Sequence, residues 1–151
     1  MSAIREAGGA LEPDRSEMVD FFRTTIPDQI HLTAIIPDGL TVGWDFGTDA
    51  DAAASWAATQ NATGKNIYFS VNLVRPGLNK KAAKNDIIQI RFAHVDIDPP
   101  KDGSQWDRER VQSRLANAPC PPCVVNWSGN GWQALWRIEG ATKESVEGRN
   151  Y

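Results

Sequence analysis

The 151-residue sequence predicts an α+β fold, and three observations carry that expectation. From residue 91 the pattern reads strand, helix, strand, strand, helix, one strand short of a split β-α-β unit with a four-stranded antiparallel sheet. The first half mixes helical apolar stripes with short β-rich runs, an N-terminal αβ unit. Pro-Asp-Gly, Pro-Pro and Ser-Gly-Asn-Gly runs punctuate the strands with turn chemistry.

Residues 1–13 are expected to form a flexible N-terminal arm, and 14–151 one domain, the size a chain of this length supports. Asp14 with Glu17 three residues later resembles a capping pair, and Met18, Phe21 and Phe22 make one apolar helical stripe. Residues 30–36 read as a strand ended by Pro37-Asp38-Gly39, and 42–46 as a second strand. Thr48 or Asp49 can cap a helix through 51–58, closed near Asn61 and Gly64. Residues 66–74 are β-rich, with Ile67, Phe69 and Val71 on one face. The loop 76–84 carries Lys80, Lys81 and Lys84, a pattern that solvated surface loops share.

In the second half, residues 91–98 read as a strand stopped by Pro99-Pro100. A helix over 104–115 places Trp106, Arg110, Val111 and Leu115 on one packing face. Strands over 123–127 and 133–138 flank a glycine turn, and a further helix begins at Thr142. The strand that would complete the sheet is expected beyond Tyr151, so the chain is expected to be weakly folded alone.

Composition narrows the function classes. With 41% hydrophobic residues the chain can bury a core, and its net charge of -3 supplies no overall positive field for nucleic acid. A nucleic-acid partner would need a local patch or a bound cation. No run approaches the ~18 apolar residues of a membrane span, and the N-terminus lacks a signal-peptide core, so a cytoplasmic protein is expected. Cys120 and Cys123 form a single Cys-Pro-Pro-Cys run, half a zinc site at most. The prolines lead into a strand instead of the helix that activates a thioredoxin-type thiol, so the pair reads as flanking a turn.

Two stretches carry chemistry. In Phe92-Ala93-His94-Val95-Asp96-Ile97-Asp98, strand alternation sets His94, Asp96 and Asp98 on one face, the two carboxylates roughly 7 Å apart along the strand. Like charges side by side call for water or a cation, and oxygen ligands at that spacing suit Mg²⁺ or Mn²⁺ bridging to phosphate. The bland alternative is a strand end whose acids point into water. The other stretch is Asn126-Trp127-Ser128-Gly129-Asn130-Gly131-Trp132-Gln133, whose glycines permit positive φ and leave backbone N–H groups open to phosphate. Its bland alternative is a hairpin turn over a tryptophan-rich core. Gln133, Leu135 and Arg137 share one face beyond the turn, while Trp132 and Trp136 lie on an apolar face and are expected in the core.

Together, the Asp-x-Asp strand, the helix and the Ser-Gly-x-Gly turn opening a strand that ends in Leu-Trp-Arg resemble the archaeo-eukaryotic primase superfamily. The resemblance is to the primase–polymerase domains of plasmid and prophage replication proteins (RepB-like primases). It covers roughly residues 18–150 and includes Ile30 to Ile35, Asn66 to Asn72, and Lys80-Lys81-Ala82 before Asp86-Ile87. The resemblance implies a catalytic domain of two parts, an αβ unit and an RRM-like β-α-β-β-α unit with a cleft between them, in a bacterial or phage-infected cell. It implies a DNA primase or polymerase that transfers nucleotides under a single-stranded DNA template, with a downstream helicase domain or partner. Asp96 and Asp98 would be the catalytic metal ligands for Mg²⁺ or Mn²⁺. Ser128, Gly129 and Gly131 would hold the phosphates of a nucleoside triphosphate. Gln133 stands where the family often has histidine, and it can donate a hydrogen bond to phosphate but carries no charge. Lys80, Lys81 and Arg137 would neutralise nucleotide or template charge. The family's third acidic residue is expected beyond the chain, since Glu139, Glu144 and Glu147 lack its hydrophobic–Asp setting.

Two readings from other classes stand beside this one. A metal-dependent phosphoesterase would use His94, Asp96 and Asp98, although only His31 remains elsewhere as a further histidine ligand. A non-catalytic RRM-like module would bind nucleic acid, although its first strand would show His and Asp where stacking aromatics belong.

Overall fold

The computed structural model describes residues 4–7 and 10–139, with side chains described from Pro13 onward. Among the described residues, three α-helices and several antiparallel sheets make the α+β fold that the sequence predicts. The chain divides into two compact units at Ile90 and Arg91.

In the N-terminal unit, β1 (Ile4–Ala7) and β2 (Ala10–Pro13) pair as an antiparallel hairpin within the stretch expected to be an arm. Helix α1 (Arg15–Thr25) starts where Asp14 caps it, the carboxylate accepting from the N–H groups of Ser16 and Glu17. A cap of this kind is worth about 1 kcal/mol. Strands β3 (His31–Ile35) and β4 (Thr41–Asp45) are joined by the expected turn, in which Asp38 takes a positive φ of 59°. Helix α2 (Ala50–Ala62) is capped by Asp49 and buries Ala50, Ala53, Ala54 and Ala57. Those alanines recur at helical spacing and bring the helix close to β3, where Leu32 and Ala34 are fully buried. Buried Ile26, Ile30 and Leu32 each contribute about 1.5–3 kcal/mol of transfer free energy.

The β-rich run 66–74 is two strands, not one. β5 (Asn66–Phe69) completes a sheet of order β4-β3-β5, while β6 (Leu73–Val74) leaves it to pair with β7 (Ile87–Gln89). The break falls after Ser70, whose N–H makes a last ladder bond to the His31 carbonyl. Gln29 then captures the departing chain, donating to the Val74 carbonyl at 3.0 Å and accepting from its N–H at 2.8 Å. A long-range side-chain clamp decides this break, so alternation along residues 66–74 does not reveal it.

The C-terminal unit runs β8 (Phe92–Ile97), α3 (Arg108–Ala116), β9 (Val124–Trp127) and β10 (Trp132–Arg137), in the sheet order β8-β10-β9. Both pairings of β10 are antiparallel, so β8 and β9 run parallel with β10 inserted between them, a split β-α-β arrangement. Among the described residues β8 has one strand partner, β10. The helix expected from Thr142 lies outside the described residues.

Helix α3 starts four residues later than the apolar spacing implies. Asp102 accepts from the Ser104 N–H and Gly103 has φ of 73°, which makes a turn there. Asp107 becomes the cap by accepting from the Arg110 N–H. Trp106 therefore lies before the helix and stacks on Trp127, ring centroids 5.8 Å apart. Trp127 meets Trp132 edge-on at 5.0 Å, and the Arg108 guanidinium sits 4.0 Å from the Trp127 centroid. The Trp132 indole N–H donates to the Arg108 carbonyl at 3.0 Å on this face of the sheet, while buried Phe92 and Leu135 lie on the other face. Trp132 is buried as expected, and Trp136 is half-buried with its N–H on the Cys120 carbonyl. Cys120 and Cys123 are exposed free thiols.

Candidate functional site

The opposite face of the C-terminal sheet carries the predicted polar residues. The β8–β10 register sets Gln133 directly opposite Asp96, Leu135 opposite His94 and Arg137 opposite Phe92, while β9 sets Asn126 opposite Gln133. Directly opposed residues share a face, so Asn126, Gln133 and Asp96 form one polar row across three strands. The Gln133 side-chain N–H₂ donates to an Asp96 carboxylate oxygen over a long 3.4 Å. Asp98, one residue past the strand, continues the face toward the glycine turn.

Gly131 explains why the turn can meet that carboxylate. A Cβ at position 131 would stand 2.6 Å from an Asp98 carboxylate oxygen and 2.6 Å from the Ile97 carbonyl oxygen. Only a residue without a side chain lets the two strand ends approach so closely.

The turn itself is closed by Ser128. Its N–H donates to the Gly131 carbonyl at 2.9 Å. Its hydroxyl donates to the same carbonyl and accepts from the Gly131 N–H, both at 3.0 Å. The Asn130 N–H leans on this hydroxyl at 3.4 Å. Ser128 thus engages the Gly131 and Asn130 N–H groups, and the N–H that the turn leaves without a partner among the described residues is that of Gly129. Gly129 is exposed, with φ of 93°.

Asp96 and Asp98 are both exposed, and neither takes part in an ion pair among the described residues. Arg137 does not reach them. It lies four residues along β10 from Gln133, roughly 13 Å away, with its guanidinium 4.7 Å from the Phe92 ring centroid. Two hard, uncompensated carboxylates fit a cation such as Mg²⁺ or Mn²⁺, which keeps several waters and takes one or two protein carboxylates plus phosphate oxygens. Among the described residues no three His, Cys, Asp or Glu side chains gather into a cage. An ion held here would complete its shell with water or substrate oxygen.

Lys80 and Lys81 belong to the N-terminal unit and have separate surroundings there. Asp86, almost fully buried, binds the Arg75 guanidinium at 2.6 Å, and the Lys80 ammonium lies 3.6 Å away. The Ala83 N–H, with the Lys80 and Arg75 charges behind it, holds the Asp86 carboxyl below the ordinary carboxylate range against the opposing pull of burial. Lys81 makes no ion pair among the described residues.

His31 holds the backbone of this loop. Its ring is fully buried, with Nε2 3.0 Å from the Lys80 carbonyl and Nδ1 2.7 Å from the Ser70 hydroxyl. A carbonyl only accepts, so Nε2 carries the proton and Nδ1 accepts from Ser70. Burial pushes the imidazole pKa down from its ordinary 6.5, opposed by the bond to Lys80 and the charges of Asp45 and Asp86. The loop also lies against Gly43, where a Cβ would stand 2.4 Å from the Lys80 carbonyl. Nothing local in the sequence marks His31 as the anchor of a loop 49 residues away.

Compared with family models, curated proteins and solved structures, the chain matches none. No helix among the described residues is long and apolar enough to cross a membrane.

Proposed function

We propose that this chain is a nucleotidyl transferase domain of primase–polymerase type, acting on nucleoside triphosphates under a single-stranded DNA template. The observation that carries the reading is the meeting of Asp98 with Gly131, beside Asp96 with Gln133, on one sheet face. A carboxylate pair suited to Mg²⁺ or Mn²⁺ and a glycine turn with an exposed Gly129 N–H lie next to each other there, as transfer from a triphosphate requires. The split β-α-β order of the unit agrees with the same reading.

In this reading Asp96 and Asp98 hold the cation, which supplies charge neutralisation at the triphosphate and a more acidic attacking hydroxyl. Gln133 steadies the Asp96 carboxylate by its hydrogen bond and can turn its amide toward phosphate. Gly129 offers its N–H to phosphate oxygen, while Ser128 keeps the turn closed by accepting from the Gly131 and Asn130 N–H groups. Gly131 admits the Asp98 carboxylate to the phosphate side.

Calorimetry with Mn²⁺ and a nucleoside triphosphate tests this directly. Binding should require the metal and weaken at least tenfold in Asp96→Asn and Asp98→Asn, the scale on which loss of a ligating or supporting group acts. Metal-dependent binding untouched by both substitutions would leave the carboxylates structural and end the proposal. Phosphate release without nucleotide incorporation would favour the phosphoesterase instead.

A further inference from the structure

The N-terminal unit has a polar sheet face of its own. Along β3, Leu32 and Ala34 point to the side where α2 packs and where Phe21 of α1 meets Phe69. His31, Thr33 and Ile35 therefore point to the other side, and the β3–β5 register puts Tyr68 beside Thr33 there. The segment around Lys80 crosses this second face at Gly43 and His31. Next to the crossing lies a cavity of about 410 Å³ whose lining includes Thr33, Ile35, Tyr68, Ser70, Lys81 and Ala82.

The lining combines three kinds of group. Tyr68 keeps 53% of its surface exposed, so a large aromatic face meets solvent at the cavity. Lys81 stands at the rim without an ion pair among the described residues, whereas Lys80 next to it turns to Asp86. Thr33 and Tyr68 bring hydroxyls, and Ile35 an aliphatic floor. An aromatic surface, one uncommitted cation and neutral hydrogen-bonding groups match a planar base, a phosphate and a sugar.

We propose that this cavity binds one nucleotide unit, its base against the Tyr68 ring and its phosphate on Lys81. The site is independent of the Asp96 and Asp98 carboxylates and needs no metal. A free mononucleotide and one residue of a single strand share this chemistry.

The test is fluorescence anisotropy of the full chain with a short fluorescein-labelled oligothymidylate in excess EDTA, with thymidine monophosphate as competitor. Tyr68→Ala and Lys81→Ala should each weaken oligonucleotide binding about tenfold, and Tyr68→Phe should keep it. Lys81→Ala should also flatten the salt dependence by about one phosphate contact. Displacement by the monophosphate at concentrations matching its own affinity identifies a free nucleotide as the ligand, and resistance to displacement identifies a strand. Asp96→Asn should leave this binding unchanged, so failure of the metal site and failure of this one are separable. Should Tyr68→Ala lose its far-UV circular dichroism, Tyr68→Leu and Lys81→Gln carry the comparison. Absence of binding by both probes, or wild-type binding in the Tyr68 and Lys81 variants, would overturn the proposal.

Discussion

Gly131 and Asp98 meet where β10 begins and β8 has just ended, and the space a Cβ would need at 131 is occupied by the Asp98 carboxylate and the Ile97 carbonyl. The glycine thus sets how near the turn stands to the carboxylate. Gly129, in the same turn, has open space around its Cα and is constrained only by its positive φ.

Gly131→Ala and Gly129→Ala should therefore fail in different ways. The first forces a backbone shift, costing about 1–3 kcal/mol, and should also weaken Mn²⁺-dependent nucleotide binding because Asp98 must move. The second pays left-handed strain of about 1–2 kcal/mol without displacing Asp98. Urea denaturation and calorimetry on both variants check this, and equal losses of nucleotide affinity would contradict it.

Gln133→Leu should separate stability from binding. Gln133 is half-buried and its bond to Asp96 is long, so urea unfolding should change by no more than about 0.5 kcal/mol. Nucleotide affinity in Mn²⁺ should fall about tenfold, as losses of groups that orient a metal ligand do. Unaltered affinity would show that Asp96 needs no help from its neighbour.

His31 makes stability depend on pH. Its folded pKa lies below the unfolded 6.5, so the unfolded chain takes up the proton first as pH falls. The stabilisation is fully present above 6.5 and is lost as pH drops through the folded value. Asp86 acts in the same direction further down, its contribution present above the ordinary 3.8 and lost below it. Urea midpoints at about pH 7.5 and about pH 5.5 should differ in the wild type and converge in His31→Gln. An undiminished difference in that variant would assign the effect elsewhere.

Gly43→Ala should be among the most damaging single-methyl changes in the N-terminal unit. The new Cβ meets backbone at Lys80, with the carbonyl carbon and oxygen both 2.4 Å away, and backbone cannot rotate aside as a side chain does. A loss at or above about 3 kcal/mol is expected, with faster amide exchange in the residues around Lys80. A variant of wild-type stability would show that the loop repositions freely.

Local chemistry was legible in the chain itself. Asp14 and Asp49 cap helices because a carboxylate before a helical run finds orphan N–H groups within two or three residues. Period-two alternation likewise put His94 and Asp96 on one face and the tryptophans of β10 on the other. What tertiary structure decided is which residue stands across from which. Gln133 faces Asp96 because a four-residue turn, closed by Ser128, sets β9 against β10, and β10 then pairs in register with β8. That same closure uses the Ser128 hydroxyl, which the motif alone leaves available for phosphate. Likewise, β5 parts from β6 because Gln29 grips Val74 from 45 residues away, and Lys80 parts from Lys81 because Asp86 draws only one of them. Alternation and capping are settled within a few residues of chain, whereas register, clamps and ion pairs join segments far apart in sequence and exist only once those segments have packed.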